Sequence, residues 1–326
     1  MTPSSGRLID VCNGDADGLC ALLQWRLAHP ANAETVTGLK REHDLLSRVS
    51  AVAGDEVTVI DMAFEPHRAQ VLRLLEAGVR VRYVDHHLCE PVPAHPLLEA
   101  HLNADSHICS GLLINQLLGG RFARWAVVCA HGDNLHASAE GLGRRIGLNI
   151  EQQQRLRRLG EAINHNACGD ALEDVLVPPC DLLRQLMDQP DPLAPLPIAE
   201  ALLQRLDADM ARGESLQPAR SGPGAALWQL PDAAWARRAS GSLANRWANQ
   251  HPDLACAVMR PTAGGCWLVS VRAPRSQPFG AADLCRSFGG GGRHAAAGID
   301  ALPDADRSAF EQAFFGHRWA QQPPQR

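Results

Sequence analysis

VRVRYVDHH, residues 79–87, is the stretch on which the reading turns. Val79 to Asp85 is a β-like run, and it stops at an aspartate followed directly by two histidines. Upstream of it, Val57 to Asp61 (VTVID) is a second such run ending in an acid, and Leu8 to Cys12 (LIDVC) a third. Helical patterns lie between and after them, at Gly18 to Ala28, near Pro66 to Ala77, at Ser110 to Leu118 and at Phe122 to His131. Strands alternating with helices predict an α/β fold with a parallel sheet. The nearly all-apolar strand ends predict helices on both faces of that sheet.

Further along, the pattern from about Glu151 to Arg212 turns helical and polar, with a Pro-rich break at Gln189 to Pro197 and a second at Gln217 to Gly224. A helix at Trp235 to Gln250 follows. Two β-like runs, LACAVMR and CWLVSVR, then join through a turn containing Gly265, and a helix at Ala281 to Phe288 leads into four consecutive glycines. The expected division is an N-terminal domain over 1–190, a helical and Pro/Gly linker over 191–224, and a smaller C-terminal α/β domain over 225–326. The tail QQPPQR is expected to fray.

Composition narrows the function classes. The chain has 326 residues, 45% apolar and 21% charged, which is ordinary for a folded globular protein of two domains. No apolar run approaches the ~20 residues of a membrane helix, and MTPSSGRLIDV lacks the pattern of a secretory signal. The ten cysteines are scattered without a CxxC pair, which speaks for reduced thiols, a cytoplasmic protein and no zinc ribbon. A net charge of −5 gives no broad field to gather a long polyanion.

The acids carry the chemistry. Asp15 and Asp17 sit in NGDADG just beyond the first strand, Asp61 ends the second and Asp85-His86-His87 the third; Gly132-Asp133-Asn134 follows a helix. Singly, each has a plain structural role as a turn or a helix cap. Jointly they fall on the carboxyl ends of successive strands, where open α/β sheets bind ligands. Carboxylates converging there with an imidazole need cations, and such a mixed donor set suits manganese, iron or zinc. Pairs of such ions hydrolyse phosphate esters.

GDADG, Asp61, Asp85-His86-His87, Asp133 and the C-terminal GGGGRHAAAG together resemble the DHH phosphoesterases that carry a DHHA1 domain, over nearly the whole chain from Asp15 to Gly298. That family includes RecJ-type exonucleases, nano-RNases, pAp phosphatases and cyclic-dinucleotide phosphodiesterases. The resemblance implies an N-terminal DHH domain and a C-terminal DHHA1 domain, with one or two Mn2+ ions (Mg2+ or another divalent ion being admissible). It implies a bridging role for Asp61, completion of one metal site by Asp17, His86 and Asp133, and a place for Asp15 in the other. His87 would lie beside the substrate phosphate or behind the metal ligands, and Asp85 would orient the histidine pair.

The chain departs from the family at Val11, where many relatives have a histidine ligand, and at Asn13, where RecJ-like members have an acid. Either Asn13, His131 or His136 fills in, or that metal site is weaker.

Gly289, Gly290, Gly291 and Gly292 let backbone N–H groups come close to a phosphate, and Arg293, His294 and Arg272, with Arg275 and Ser276 nearby, supply donors for it. By resemblance this loop grips the nucleotide end of the substrate. Asn103, Ser106, His107 and Ser110 occupy a region of further substrate contacts in relatives, though they serve equally as caps.

The expected function is a manganese-dependent phosphodiesterase or exonuclease acting through metal-activated water on short oligonucleotides or on cyclic or linear dinucleotides. A pAp-type phosphatase and a catalytically weakened nucleotide-binding protein are the alternatives. No membrane partner is expected, and a homodimer is compatible with the sequence.

Overall fold

Strand β1 (Leu8–Asn13) holds Ile9, Val11 and Cys12 entirely out of solvent, and α1 (Ala16–Ala28) starts just beyond it with Asp15 as its N-cap. This computed structural model describes residues 6–262 and 264–322, so the leader reading of the first residues and the fraying expected of 323–326 lie outside the described residues. The chain continues through β2 (Glu34–Gly38), β3 (Glu56–Ile60), α2 (Phe64–Glu76), β4 (Arg80–Asp85) and β5 (Leu98–Leu102). These five strands are all parallel, in the order β2-β1-β3-β4-β5. Helices α3 (Ser110–Leu117), α4 (Ala123–Gly132), α5 (His136–Arg145), α6 (Ile150–Ala167), α7 (Pro179–Met187) and α8 (Pro197–Glu214) follow.

The period of two along each strand separates the layers. Ile9, Val11, Val57, Val59, Val81 and Tyr83 share a core with Phe64, Val71 and Leu75 of α2. The intervening residues face the other way. There Asp10 meets Arg26 of α1 in a two-pronged ion pair, with Nε to Oδ2 at 2.6 Å and Nη2 to Oδ1 at 2.5 Å. Both side chains are buried, and burial pushes the Asp10 carboxyl up even against the guanidinium. The expected α/β architecture with a doubly covered parallel sheet is therefore present. Two strands were not expected from sequence, β2 and β5. They are the two edges of the sheet, where polar residues replace the apolar pattern that marks central strands.

The chain divides into one compact unit up to Arg205 and another from Leu206, a boundary within α8. In the second unit β6 (Arg220–Gly222), β7 (Ala225–Gln229), α9 (Ala234–Gln250), β8 (Ala255–Thr262), β9 (Cys266–Arg272), α10 (Ala281–Arg286), β10 (Gly291–Arg293), β11 (Ala296–Pro303) and α11 (Arg307–Gly316) follow in turn. The segment 191–224 thus carries α8 and the edge strand β6. The sheet runs β10-β11-β9-β8-β7-β6, with β7 and β8 parallel across α9 and the other neighbours antiparallel. Its own apolar core gathers Leu227, Met259, Val269, Ile299, Phe310 and Phe314.

Because Asp10 and Arg26 are both buried, removing one strands the other's charge. Arg26→Leu should lower stability by about 3 kcal/mol, and the double variant Asp10→Leu/Arg26→Leu should recover most of that loss. Urea unfolding midpoints of the three proteins check this.

Candidate metal centre

In the first unit the strand order reverses between β1 and β3, so the connections leaving their carboxyl ends diverge and open a crevice there. Asp15 and Asp17 enter it from the start of α1, and Asp61 from the residue after β3. Asp85 is the last residue of β4, with His86 and His87 next, and Asp133 caps the end of α4. Asp61 has a left-handed backbone, φ 58°, and its N–H donates to the Val84 carbonyl at 3.0 Å. The chain turns sharply at that residue, which is conformationally costly for any side chain but least so for Asp or Asn.

Asp17 is fixed by a helix terminus. The backbone N–H groups of Ser110 and Gly111, the first residues of α3, donate to its two oxygens at 2.7 and 2.8 Å. Gly111 has to be glycine, because a Cβ there would stand 2.2 Å from the Cys129 sulfur and 3.1 Å from Asp17 Oδ1. The Ser110 hydroxyl donates to Asp61 Oδ1 at 3.3 Å. Ser110 therefore supports the carboxylates, while Asn103, Ser106 and His107 lie on an exposed loop, its turns closed by bonds among Asn103, Asp105 and His107.

His86 faces three of the acids at once. Its Nε2 lies 3.5 Å from Asp61 Oδ1, 3.9 Å from Asp133 Oδ2 and 4.0 Å from Asp17 Oδ2. These separations are too long for direct hydrogen bonds. They match the spacing of neighbouring ligands around an ion bound at roughly 2.0–2.6 Å. Asp61, His86 and His87 also bring ligand atoms within 4.8 Å of one another. Burial, reinforced by the charges of Asp15, Asp17, Asp85 and Asp133, pushes the Asp61 carboxyl far above the usual range. Burial and the Asp17 carboxylate push Asp133 up to about 6. A divalent cation is what this donor set calls for, and a mix of carboxylates with imidazole fits manganese, iron or zinc.

Asp85 binds only one of the two histidines. Its Oδ1 is 2.7 Å from His87 Nδ1 and its Oδ2 accepts the His87 N–H at 3.2 Å. That hydrogen bond pushes the His87 imidazole up and leaves Nε2 as its outward atom. The expectation that Asp85 orients the pair is narrowed to His87.

Asp15 adjoins the His86 set through Asp61 and has partners of its own. Its Oδ1 accepts the N–H groups of Asp17 and Gly18 at 3.0 and 3.1 Å, which caps α1. Its Oδ2 is held at 2.5 Å by the ammonium of Lys40, a residue just past β2 that sequence reasoning passed over. Burial alone would push the Asp15 carboxyl up, but Lys40 holds it below the usual range. Recognition of ETVTG as a strand would have put Lys40 at this same edge of the sheet.

The residues expected to fill in for the missing histidine have contacts of their own. Val11 is packed in the sheet core. Asn13 Oδ1 accepts the Asp15 N–H at 3.2 Å. His131 and His136 face each other, Nδ1 to Nδ1 at 3.0 Å, and burial with the His136 charge pushes His131 down to about 4.

In the second unit the glycine run is half turn and half strand. The N–H of Gly290 donates to Cys285 and closes α10, and Gly291 to Arg293 pair with β11. Gly292, at φ 136°, would place a Cβ 2.6 Å from Ala297 Cα, and Gly290 is equally tight against Gly298. Gly289 takes a left-handed turn at φ 76°. Gly291 alone has an ordinary backbone and open space before it. Arg272 donates to Asn245 Oδ1 at 2.8 Å and to the Val271 carbonyl, and Arg275 to Asn249 Oδ1 at 2.7 Å. Among the described residues neither guanidinium meets a carboxylate. Arg293 is exposed, and the His294 ring leans on Phe279 at 5.0 Å between centroids.

Asp61→Asn keeps the left-handed turn and removes a buried like charge. Because the folded-state carboxyl titrates above its unfolded value, its repulsion is felt fully at high pH and vanishes below about pH 4, where it is protonated in both states. In chelator-treated protein the variant should be more stable than wild type by about 1 kcal/mol at pH 8, with no gain near pH 4. Thermal melts at the two pH values check the sign.

No family model and no curated protein matches the sequence. Solved structures do match in fold. An exonuclease RecJ bound to manganese aligns with TM-score 0.63 and 20% identity, covering 94% of this chain and 89% of its own. The DHH domain of a protein described as a member of a family of ribosomal proteins gives 0.63 and 13%, covering 95% and 86%. The pGpG-specific phosphodiesterase PggH from Vibrio cholerae gives 0.56 and 13%, covering 95% and 97%. No helix among the described residues is long and apolar enough to cross a membrane. At both ends of the chain, then, the fold is the one shared by RecJ and the DHH-domain proteins.

Proposed function

We propose that this chain is a metal-dependent phosphoesterase that hydrolyses phosphodiester bonds in dinucleotides or short oligonucleotides, with Mn2+ as the working ion, in the cytoplasm. The observation that carries the reading is the His86 Nε2 surrounded by Asp17, Asp61 and Asp133 at 3.5 to 4.0 Å. A divalent ion there supplies a Lewis acid for the phosphate and lowers the pKa of water to near neutrality.

The chain's own groups do the rest. Asp17, Asp61, Asp133 and His86 hold the ion, and the α3 terminus keeps Asp17 aimed at it. His87 is held at Nδ1 by Asp85, 2.7 Å away, and that contact raises the pKa of the imidazole and leaves Nε2 as the atom to carry a proton. From Nε2 that proton passes to the leaving ribose oxygen, a general-acid role for His87 with Asp85 as its positioning residue.

Arg272 supports the choice of substrate. It is a largely buried guanidinium whose partners are an amide and a backbone carbonyl, so its charge is left for an anion such as a phosphate. Gly289 to Gly292, Arg293 and His294 complete this phosphate-binding set, with Gly291 as the point of close backbone approach. Few basic groups are in place, which favours substrates of two to a few nucleotides over long strands. Likeness to both RecJ and a pGpG phosphodiesterase is compatible with either length, so the length preference rests on this chain's own residues.

The test is a panel of linear and cyclic dinucleotides, pAp and RNA tens of nucleotides long, assayed with Mn2+. Dinucleotides and very short oligonucleotides should turn over fastest, and Asp61→Ala should lose about a thousandfold or more in kcat while keeping its fold. Efficient digestion of long RNA would favour the exonuclease reading, and release of phosphate from pAp alone the phosphatase. Nucleotide binding without turnover would leave a binding protein.

Gly291→Ala should melt like wild type yet raise KM severalfold, because its Cβ meets solvent in the free protein and the phosphate in the complex. An unchanged KM would remove Gly291 from the binding set.

A further inference from the structure

The Asp15 side of the centre is built around a lysine. The Lys40 ammonium sits 2.5 Å from Asp15 Oδ2 and donates also to Asn164 Oδ1 at 2.8 Å, on α6. The Lys40 backbone is pinned as well, its N–H bonded to the Ala167 carbonyl at 3.0 Å. The side chain is about one-third exposed, at 35%, with its ammonium clamped between Asp15 and Asn164. This is a held charge rather than a loose surface lysine.

Around Asp15 the chain supplies its own donors: Asp15 Oδ1 accepts two backbone N–H groups of α1 and Asn13 Oδ1 accepts the Asp15 N–H, while Val11 has no ligand atom. A divalent ion on Asp15 Oδ2 would stand a few ångströms from the ammonium and be repelled by it. The same ammonium already neutralises one of the converging carboxylates, which removes much of the electrostatic need for a second ion.

We propose that the Lys40 ammonium stands in for a second metal ion beside Asp15, so that the centre takes up one divalent ion, on the His86 side, instead of a pair. The inference rests on the reading of the centre as metal-binding. It also gives Lys40 a place in the reaction: a fixed positive charge that would meet a nonbridging phosphate oxygen, as a second cation otherwise would.

Metal content separates this from the alternatives without recourse to turnover. The full chain is dialysed against Mn2+, and bound metal is measured by elemental analysis and by electron paramagnetic resonance. Wild type should hold one ion with the spectrum of isolated Mn2+. Lys40→Arg, which keeps the charge, should do the same. Lys40→Ala should take up a second, weaker ion and show the broadened spectrum of a spin-coupled pair.

Two coupled ions in wild type would overturn the substitution while leaving the phosphoesterase reading intact. No bound Mn2+ at all would overturn that reading itself, and the inference with it. A folded Lys40→Ala still at one ion would also overturn the inference, since the ammonium would not be what keeps the second ion out. Should Lys40→Ala fail to fold, the wild-type stoichiometry and spectrum still decide.

Discussion

Like charges forced together at the carboxyl edge of a parallel sheet are the constraint on which this molecule is organised. Asp15, Asp17, Asp61 and Asp133 are drawn toward one crevice and mostly shielded from water, and burial with the neighbouring charges pushes the carboxyls of Asp61 and Asp133 up. A fold that maintains this arrangement has to supply positive charge or hydrogen-bond donors. The chain uses backbone N–H groups at the start of α1 for Asp15 and of α3 for Asp17, the Ser110 hydroxyl for Asp61, and the Lys40 ammonium for Asp15.

The supporting structure follows from that demand. Gly111 is without a side chain so that α3 can press its first N–H groups onto Asp17. Asp61 accepts a left-handed backbone so that its carboxylate turns into the crevice directly after β3. The Asp10–Arg26 pair lies beneath and ties α1 to β1. The strain and crowded charge are confined to the strand ends, where ligand-binding sites in such sheets lie.

The second unit solves a different problem. Its sheet leaves guanidinium groups of Arg272 and Arg275 with amide partners from one face of α9, Asn245 and Asn249, and no counter-charge among the described residues. An amide orients an arginine without neutralising it, which keeps the charge available to an anion.

How much of this was legible in the sequence depends on the kind of interaction. The central strands, their order of acids and the helices between them were visible because burial on both faces imposes continuous apolar runs, and turns impose Gly and Asp. The edge strands β2 and β5 were not, since an edge is half solvated and needs no such run. Missing β2 meant missing Lys40, whose role depends on the pairing of β2 beside β1 and on Asn164 far along the chain. The glycine run was seen as one loop, and only packing against β11 separated the glycines that the hairpin requires from Gly291, which it does not. The α/β class, the acidic residues and their place at strand ends could be read without coordinates, because they follow from local periodicity and from chemistry that no other residues can supply. Which acid meets His86, which meets a lysine and which histidine Asp85 holds came only with the folded chain, because distances of a few ångströms between residues remote in sequence are set by strand order and helix packing.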